Sequence, residues 1–359
     1  FRAEHLGSLL RPNALRRAFR SFSMGDISAT EFKNIQDQCI RDVVAMQEEI
    51  GLQSITDGEF RRTSYWSHFV EAVNGLGVAP ARFRFRDDAG EEKQFFSPHV
   101  DGRVHRSKSF SIDEFRFLRA TTDRTPKLTM PSPPSMHFWS GSKFIKSGIY
   151  PSEESYFEDL IKIYKEEITD VAAAGARYIQ VDEVPLAMLC DPSLREALQV
   201  DGEDPGRRVN QYIDLINACF HDRGEVTVGL HLCRGNFKGQ WLSAGGYDFI
   251  AERLFNELEV DVFFLEYDTP RAGNFAPLAH MPQDKSAILG LISSKAPALE
   301  DIDDLCQRIE EAARYMSIEC IGISPQCGFA SAVTGNPVTY EDQVAKLRLA
   351  VETAEKIWN

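Results

Sequence analysis

Two potential metal ligands, His231 and Cys233, stand two residues apart at the end of an extended apolar run. Side chains at positions i and i+2 of a strand point to the same face, so both donors are expected to project together. Glu266 ends another strongly apolar run, where an ionisable side chain needs a partner, and Cys327 lies in a turn between Pro and Gly. Nitrogen, sulfur and oxygen donors of this kind suit Zn²⁺, so the four residues predict a zinc site. The alternative is a core histidine with unrelated buried thiols.

This donor set predicts a reaction class. Two thiolates and one carboxylate make a metal centre electron-rich, so it is less suited to polarising a carbonyl than a site of neutral imidazoles. A substrate thiol that joined such a centre would lose its proton and keep its nucleophilic electron density, whereas a free thiol is mostly protonated at neutral pH. We therefore expect alkyl transfer to the sulfur of a small thiol. The alternative is a structural or storage zinc site that binds a thiol without turning it over.

The elements that must position these residues are short β-branched runs, which alternate with longer segments of helical spacing. This alternation is typical of βα units around a parallel sheet. Eight such runs occur, at 4–6, 53–56, 127–130, 178–181, 226–230, 260–265, 286–289 and 319–323. Eight runs predict an α/β fold of the (β/α)₈ TIM barrel type, in which the residues that follow the strands meet at one rim and form the active site.

The stretch at about 80–115 departs from this alternation. Phe and Arg alternate from Arg82 onwards, and the stretch continues through Gly90 and Gly102. We expect an antiparallel hairpin excursion here, inserted after the second strand of the barrel. No internal repeat or low-complexity linker divides the chain, so residues 1–359 are expected to form a single catalytic barrel.

Composition narrows the range of partners. The 40 Lys+Arg against 54 Asp+Glu give a net charge of −14, and no dense basic stripe offsets it, so no nucleic-acid partner is expected. No apolar run approaches the roughly 20 residues of a membrane-spanning helix and the start lacks a signal-peptide core, so we expect a cytoplasmic protein without a membrane partner. Seven dispersed cysteines favour reduced thiols over a disulfide framework. A small-molecule partner is expected, and the oligomeric state is left open.

Several motifs resemble one known family. They are Leu6-Gly7-Ser8, Asp57-Gly58-Glu59, Gln180-Val181-Asp182-Glu183-Val184-Pro185, His231-Leu232-Cys233 and Ser324-Pro325-Gln326-Cys327-Gly328-Phe329. With them the chain resembles the catalytic half of cobalamin-independent methionine synthase and its shorter single-barrel relatives, over nearly its whole length. The resemblance implies a zinc barrel that transfers a methyl group from a methyltetrahydrofolate-type donor to homocysteine. It also implies that the family's zinc ligands fall on the four residues reached above.

The family's contacts to the amino-acid substrate fall on Gly7, Ser8, Glu59 and Asp182. This assignment is physically reasonable, because the ammonium of homocysteine needs carboxylates such as Glu59 and Asp182. The substrate carboxylate needs donors, which the amides and hydroxyl of Gly7 and Ser8 could provide. The alternative for each acid is a structural role, as a solvated loop charge or, for Glu59, as the partner of a neighbouring arginine.

The donor side departs from the family's pattern. The resemblance implies a catalytic His in an Asp-x-His-Ser segment after the seventh strand, and Ser293 stands at that position here. If that His protonates the leaving pterin nitrogen, this chain must use another acid, with Lys295 and His137 as candidates, or another donor. Trp139 could stack on a flat donor or could simply pack in the core. The alternative reaction is alkyl transfer from an epoxide or another methylated small molecule to a different small thiol.

Overall fold

The strands form one large parallel sheet, one short parallel pair and one antiparallel hairpin within residues 1–87 and 89–358, which a computed structural model describes. The strands are Ser54–Ile55 (β1), Val73–Arg86 (β2), Glu92–Arg106 (β3), Thr125–Pro126 (β4), Leu128–Pro131 (β5), Tyr178–Glu183 (β6), Thr227–Leu232 (β7), Val262–Glu266 (β8), Ser286–Ile292 (β9) and Ile321–Pro325 (β10). The large sheet has the order β10-β9-β8-β7-β6-β5, and β1 pairs in parallel with β4. The fold is therefore mixed α/β with a parallel sheet.

Helices follow or connect most of these strands. The α-helices are Asn13–Met24 (α1), Ala29–Ile50 (α2), Ser67–Ala72 (α3), Ile112–Arg119 (α4), Ser135–Phe138 (α5), Lys143–Lys146 (α6), Glu153–Ala173 (α7), Pro185–Met188 (α8), Pro192–Val200 (α9), Pro205–Phe220 (α10), Ala251–Glu257 (α11), Ile302–Ala312 (α12) and Tyr340–Trp358 (α13). Short 3₁₀ turns lie at Tyr247–Phe249, Pro270–Ala272, Ala276–His280 and Ile318–Cys320. Across the described residues, no helix is long and apolar enough to span a bilayer.

The long helices start and stop at residues with known capping chemistry. The Ser28 side chain accepts a hydrogen bond from the Glu31 amide at the start of α2, which ends at Gly51 in the left-handed conformation. Asp204 caps α10 in the same way, directly before a proline at the first helical position. α7 buries one apolar face that includes Leu160 and Tyr164. These helices therefore pack one face against the sheet.

Seven of the eight predicted runs contain a strand in the described chain, and the run at 4–6 does not. There the backbone makes a single parallel bridge, from Ala3 to Ile323 in β10. Side chains join this segment to its other neighbour instead: the Glu4 carboxylate accepts a hydrogen bond from the Ser54 hydroxyl and pairs with the Lys127 ammonium at 2.8 Å. Polar side chains thus replace a backbone ladder beside β1.

The predicted excursion is a long antiparallel hairpin formed by β2 and β3. It starts earlier and ends earlier than the expected range of about 80–115, because β2 begins at Val73, directly after α3, and α4 occupies 112–119. The base is anchored by Arg106, whose guanidinium lies 2.8 Å from the fully buried Glu167 carboxylate of α7. The far end of β2 is anchored by Arg86, which exchanges backbone hydrogen bonds with Trp241. The hairpin is therefore fixed at both ends.

The Glu4–Lys127 pair allows a test of how the incomplete edge is held. Both side chains are at most 1% exposed, so Lys127→Met leaves a buried carboxylate without its cation, and we expect the free energy of unfolding to fall by about 3–5 kcal/mol. The double variant Glu4→Gln/Lys127→Met should recover most of that loss. Urea unfolding followed by circular dichroism measures both.

Lys33→Met, which removes a half-exposed ion pair with Asp37, is the control and should change stability by less than about 1 kcal/mol. A Lys127→Met loss no larger than this control would contradict the role.

Candidate metal centre and cavity

Four potential metal ligands meet at the carboxyl ends of β7, β8 and β10, with β9 lying between β8 and β10 in the large sheet. His231 lies in β7, Cys233 follows it, Glu266 is the last residue of β8, and Cys327 follows β10. One ligand atom from each residue lies within 4.8 Å of all the others, and all four side chains are buried. The carboxyl ends of parallel strands thus bring together residues that are up to 96 positions apart in the sequence.

The unpaired atoms of this cluster test whether a metal fits. Both ring nitrogens of His231 are buried and have no hydrogen-bond partner in the described structure. The nearest interaction of the ring is with the Cys327 sulfur inside the cluster, and coordination of a cation would satisfy a buried nitrogen that has no oxygen or nitrogen partner. One nitrogen, two sulfurs and one carboxylate oxygen are donors that Zn²⁺ accepts in tetrahedral sites. The cluster therefore fits a zinc ion.

The two thiols lie within hydrogen-bond distance of each other. Their sulfur atoms are 3.6 Å apart. The contact with Cys233 lowers the pKa of Cys327 well below its usual range, with His231 acting in the same direction, although burial opposes the shift. The same contact raises the pKa of Cys233. The contact thus favours loss of the proton from Cys327, and a metal ligand has to be a thiolate.

Hydrogen bonds from neighbouring residues fix the position of Glu266 in the cluster. Its Oε1 accepts a hydrogen bond of 2.8 Å from the Arg234 amide, and its own amide donates to the Tyr247 hydroxyl. Burial raises the pKa of Glu266 to about 7, although Lys295 opposes this shift. A cation beside this carboxylate would stabilise its ionised form.

A cavity of about 330 Å³ opens beside the cluster, and His231, Cys233 and Cys327 form part of its lining. Of the residues expected to bind the amino-acid substrate, Ser8, Glu59 and Asp182 line the cavity. Gly7 lies directly behind it, and a Cβ added there would come within 2.4 Å of Thr129 Cγ2. Glycine is also needed for the backbone at this position, which has φ of +89°.

Glu59 occupies a strained position at the cavity wall. Its φ of +60° is rare for a residue with a side chain, and the backbone is held there by hydrogen bonds from its amide to Asp57 and from Arg11 to its carbonyl. Oε1 accepts a hydrogen bond from the Thr129 hydroxyl and lies 3.7 Å from the Arg62 guanidinium, whereas Oε2 has no partner. Burial raises the pKa of Glu59 in spite of the arginines. One carboxylate oxygen thus remains free for a ligand.

Asp182 is the second carboxylate of the cavity. Gln180 donates a 2.7 Å hydrogen bond to its Oδ1. Burial, followed by repulsion from Glu59, raises the pKa of Asp182 to about 7. Two carboxylates that disfavour each other's charge form a site where a bound cation lowers both pKa values.

The donors expected for a substrate carboxylate are only partly available. The Gly7 amide donates to His5 Nδ1 and the Ser8 amide donates to the Leu6 carbonyl, so both are engaged within the loop. The Ser8 hydroxyl is the remaining donor, and a Cβ at Gly328 would lie 1.9 Å from its oxygen. Gly328 therefore leaves the space that this hydroxyl occupies.

The four residues expected on the donor side do not come together. Trp139 lines the cavity, and its indole Nε1 has no partner in the described structure. His137 is fully buried among other groups, with Nδ1 2.8 Å from the Tyr212 hydroxyl, and burial lowers its pKa. Lys295 donates to the Gly235 carbonyl, and the Ser293 hydroxyl accepts a hydrogen bond from the Lys295 amide. Trp139 alone of these four is in the cavity lining.

The hairpin contributes aromatic residues that the sequence did not single out as functional. With rings from three other segments they form the aromatic wall of the cavity, which consists of Tyr65, Trp66, Phe85, Phe95, Phe96, Trp139 and Phe237. The alternation of Phe and Arg was the available signal, because period-two alternation places Phe83 and Phe85 on one face of a strand. This alternation predicted a hairpin, but it did not indicate that the Phe side chains would line a cavity.

The arrangement defines a class of protein: an α/β protein with a buried His-Cys-Glu-Cys cluster that opens into a small-molecule cavity. The chain belongs to the cobalamin-independent synthase family, because residues 2–356 match the family described as "Cobalamin-independent synthase, Catalytic domain".

Individual relatives extend over the same length. The uncharacterized protein YxjH of Bacillus subtilis is 38% identical over 100% of this chain and 95% of its own. The methionine synthase of Pyrococcus horikoshii is 24% identical over 90% of this chain and 84% of its own. A solved structure from Listeria monocytogenes, provisionally described as a vitamin-B12 independent methionine synthase, matches with a TM-score of 0.76 and 31% identity, and covers 100% of this chain and 98% of the other. The family and its mixed α/β fold are therefore established for this chain, and an enzyme of the methyltransferase type is supported.

Proposed function

We propose that this chain is a zinc-dependent methyltransferase that methylates the thiol of homocysteine and forms methionine. The observation that carries the proposal is the cluster of four buried ligand atoms within 4.8 Å, with an imidazole that has no other partner, at the edge of a cavity. His231, Cys233, Glu266 and Cys327 would hold the ion. The activity named for the Pyrococcus horikoshii relative supports the choice of reaction.

Each side chain of the cavity has a role in this proposal. Zn²⁺ held by the cluster would lower the pKa of a coordinated substrate thiol and keep its sulfur nucleophilic. Glu59 and Asp182 bind the ammonium of homocysteine, and Ser8, with Gly7 shaping its loop, receives the carboxylate. The aromatic wall excludes water from the reacting sulfur. The thiol thus enters with its amino-acid end fixed by charge.

The proposal includes several finer points. The segment at Ala3 and strand β1 complete a closed (β/α)₈ barrel through their side chains, and residues 1–359 act as one catalytic barrel. The resemblance implies a methyltetrahydrofolate-type donor bound near Trp139, with Ser293, Lys295 and His137 as further candidates on that side. Free cysteines without a disulfide framework are typical of proteins in a reducing compartment, so we assign the protein to the cytoplasm.

Thiol activation predicts that protons are released when homocysteine binds to the zinc-loaded protein, because a bound thiol becomes a thiolate. Calorimetry in buffers of different ionisation enthalpy should detect close to one proton per chain. X-ray absorption at the zinc edge should show one additional sulfur neighbour.

Homoserine, which carries a hydroxyl in place of the thiol, is the matched control and should release no proton. A closed structural zinc site predicts a different result, namely an unchanged sulfur count and heats independent of the buffer. That result would exclude thiol activation while leaving the zinc site intact.

A further inference from the structure

The aromatic wall makes one side of the cavity apolar and lines it with aromatic rings. Phe95 stands between Phe85 and Trp139, at centroid distances of 4.8 and 5.3 Å, and Phe237 lies 5.4 Å from Phe85. Ring faces attract cations through their quadrupole, and clusters of rings are the usual binding sites for quaternary ammonium groups. The wall therefore has the chemistry to hold a small alkylated cation.

The charges around the cavity favour the same kind of ligand. The described lining contains no Lys or Arg side chain, and its two carboxylates, Glu59 and Asp182, face a single ammonium of homocysteine in the proposed function, which leaves the cavity with an excess of negative charge. The net charge of −14 also raises the local concentration of cations. An anionic donor, such as a folate with its glutamate carboxylates, would meet no basic side chain along this part of the chain. The electrostatics thus favour a cationic donor over an anionic one.

Size and hydrogen bonding point in the same direction. A volume of about 330 Å³ is at the low end for small-molecule sites, which span roughly 300–1,000 Å³, and it has to hold the acceptor as well as the donor. Gln94 contributes a side-chain amide to the hairpin side of the cavity. Its Nε2 already donates hydrogen bonds to the carbonyls of Ala81 and Phe95. The volume therefore favours a small donor, and the Gln94 amide nitrogen is not free to bind it.

We propose that the methyl donor is a small onium compound, a methylsulfonium or methylammonium cation, bound against the aromatic wall. This inference rests on the proposed function, because it assumes that a thiol is the acceptor, and it replaces the folate donor with a cation.

The reaction balances without an acid catalyst. The thiolate sulfur of the acceptor forms a bond to the methyl carbon, the carbon–sulfur bond of the sulfonium breaks, and its electron pair stays on the departing sulfur. A neutral sulfide leaves, or a neutral amine if the donor is an ammonium, so no proton has to reach the leaving group. A reaction that needs no acid agrees with the lack of an available proton donor among the candidates. Ser293 stands at the family's histidine position, His137 is enclosed beside Tyr212, and the Lys295 amine donates to the Gly235 carbonyl.

Binding tests the inference separately from turnover. Tetramethylammonium is the probe, and tert-butanol is a neutral molecule of similar shape. We expect the cation to bind the purified chain at least about tenfold more tightly, measured by saturation-transfer NMR and by quenching of tryptophan fluorescence.

Phe95→Leu should weaken binding of the cation about fivefold, since it removes a ring from the wall. Phe83→Leu is the matched control, because Phe83 belongs to the same hairpin but lies outside the cavity lining, where it stacks on Phe138. It meets the wall only through an edge contact with Trp139 at 6.3 Å, so its effect should be much smaller than that of Phe95→Leu.

Turnover with deuterated donors tests the same idea chemically. Homocysteine is incubated with trimethylsulfonium, tetramethylammonium or methyltetrahydrofolate, and labelled methionine is measured by mass spectrometry. Label from either onium compound, together with preferential binding of the cation, supports the inference.

Equal binding of tetramethylammonium and tert-butanol would overturn the inference whatever the donor assay gives. Label from methyltetrahydrofolate alone would also overturn it and would leave the proposed function standing. No labelled methionine from any donor would count against the proposed function, and the binding comparison would then decide whether the cavity is a cation site.

Discussion

Cys327→Ser is expected to lower the zinc content of the purified protein from about one ion per chain to almost none. The substitution removes one of four ligand atoms and the hydrogen-bond partner of the Cys233 sulfur, which lies 3.6 Å away. Loss of a residue that only supports a ligand typically costs 10–100-fold in metal affinity, so loss of the ligand itself should cost at least about a hundredfold. Elemental analysis and competition with a chromogenic chelator measure the content and the affinity.

Cys190→Ser is the matched control for this substitution. Cys190 is also buried, but its thiol donates to the Leu186 carbonyl, a role that a serine hydroxyl can take over, and it does not belong to the ligand cluster. Zinc content should stay near one ion per chain in this variant. Cys233→Ser should behave like Cys327→Ser. If all three variants retained zinc equally, the cluster would not be a metal site.

Asp182→Asn is expected to weaken homocysteine binding by about 2–4 kcal/mol, or roughly 30- to 1,000-fold, because it removes a buried charge that the substrate ammonium pairs with. The comparison ligand is 4-mercaptobutyrate, which is homocysteine without its amino group. Its affinity should change little in the variant, because the lost contact is not made. Calorimetric titration of both thiols isolates the interaction with the ammonium.

The neighbouring Glu183→Gln serves as the control for Asp182→Asn. Glu183 is buried in the same strand, outside the cavity lining, and burial raises its pKa to about 8, so the neutral glutamine resembles its protonated form. It should not discriminate between the two thiols. An equal loss for homocysteine and 4-mercaptobutyrate in Asp182→Asn would assign Asp182 to the fold or to the cluster instead of the ammonium.

The cluster of potential ligands could be predicted from the sequence because of simple geometric rules. His231 and Cys233 are two residues apart in a strand, and a carboxylate at the end of a buried run, Glu266, needs a partner. Parallel strands bring their carboxyl ends to one rim, so Cys327 could be added once the alternation of strands and helices was recognised. Local periodicity and chain connectivity are enough for such inferences.

Other features depended on distant side chains that no local pattern reveals. The run at 4–6 has the composition of a strand, but the Glu4–Lys127 ion pair joins it across 123 positions in place of a ladder. His137 has a residue type suited to proton transfer, yet Tyr212 and neighbouring rings enclose it away from the cavity.

The sequence by itself determined the α/β architecture, the family and the cluster of potential zinc ligands, since these follow from spacing along the chain. The tertiary structure alone decided which aromatic residues surround the cavity. Phe95 reaches Trp139 only because the hairpin is anchored over the strand ends, through Arg106 on Glu167 and through backbone pairing at Arg86. Contacts between segments far apart in the chain depend on how those segments pack, and packing is a property of the whole fold rather than of any local stretch.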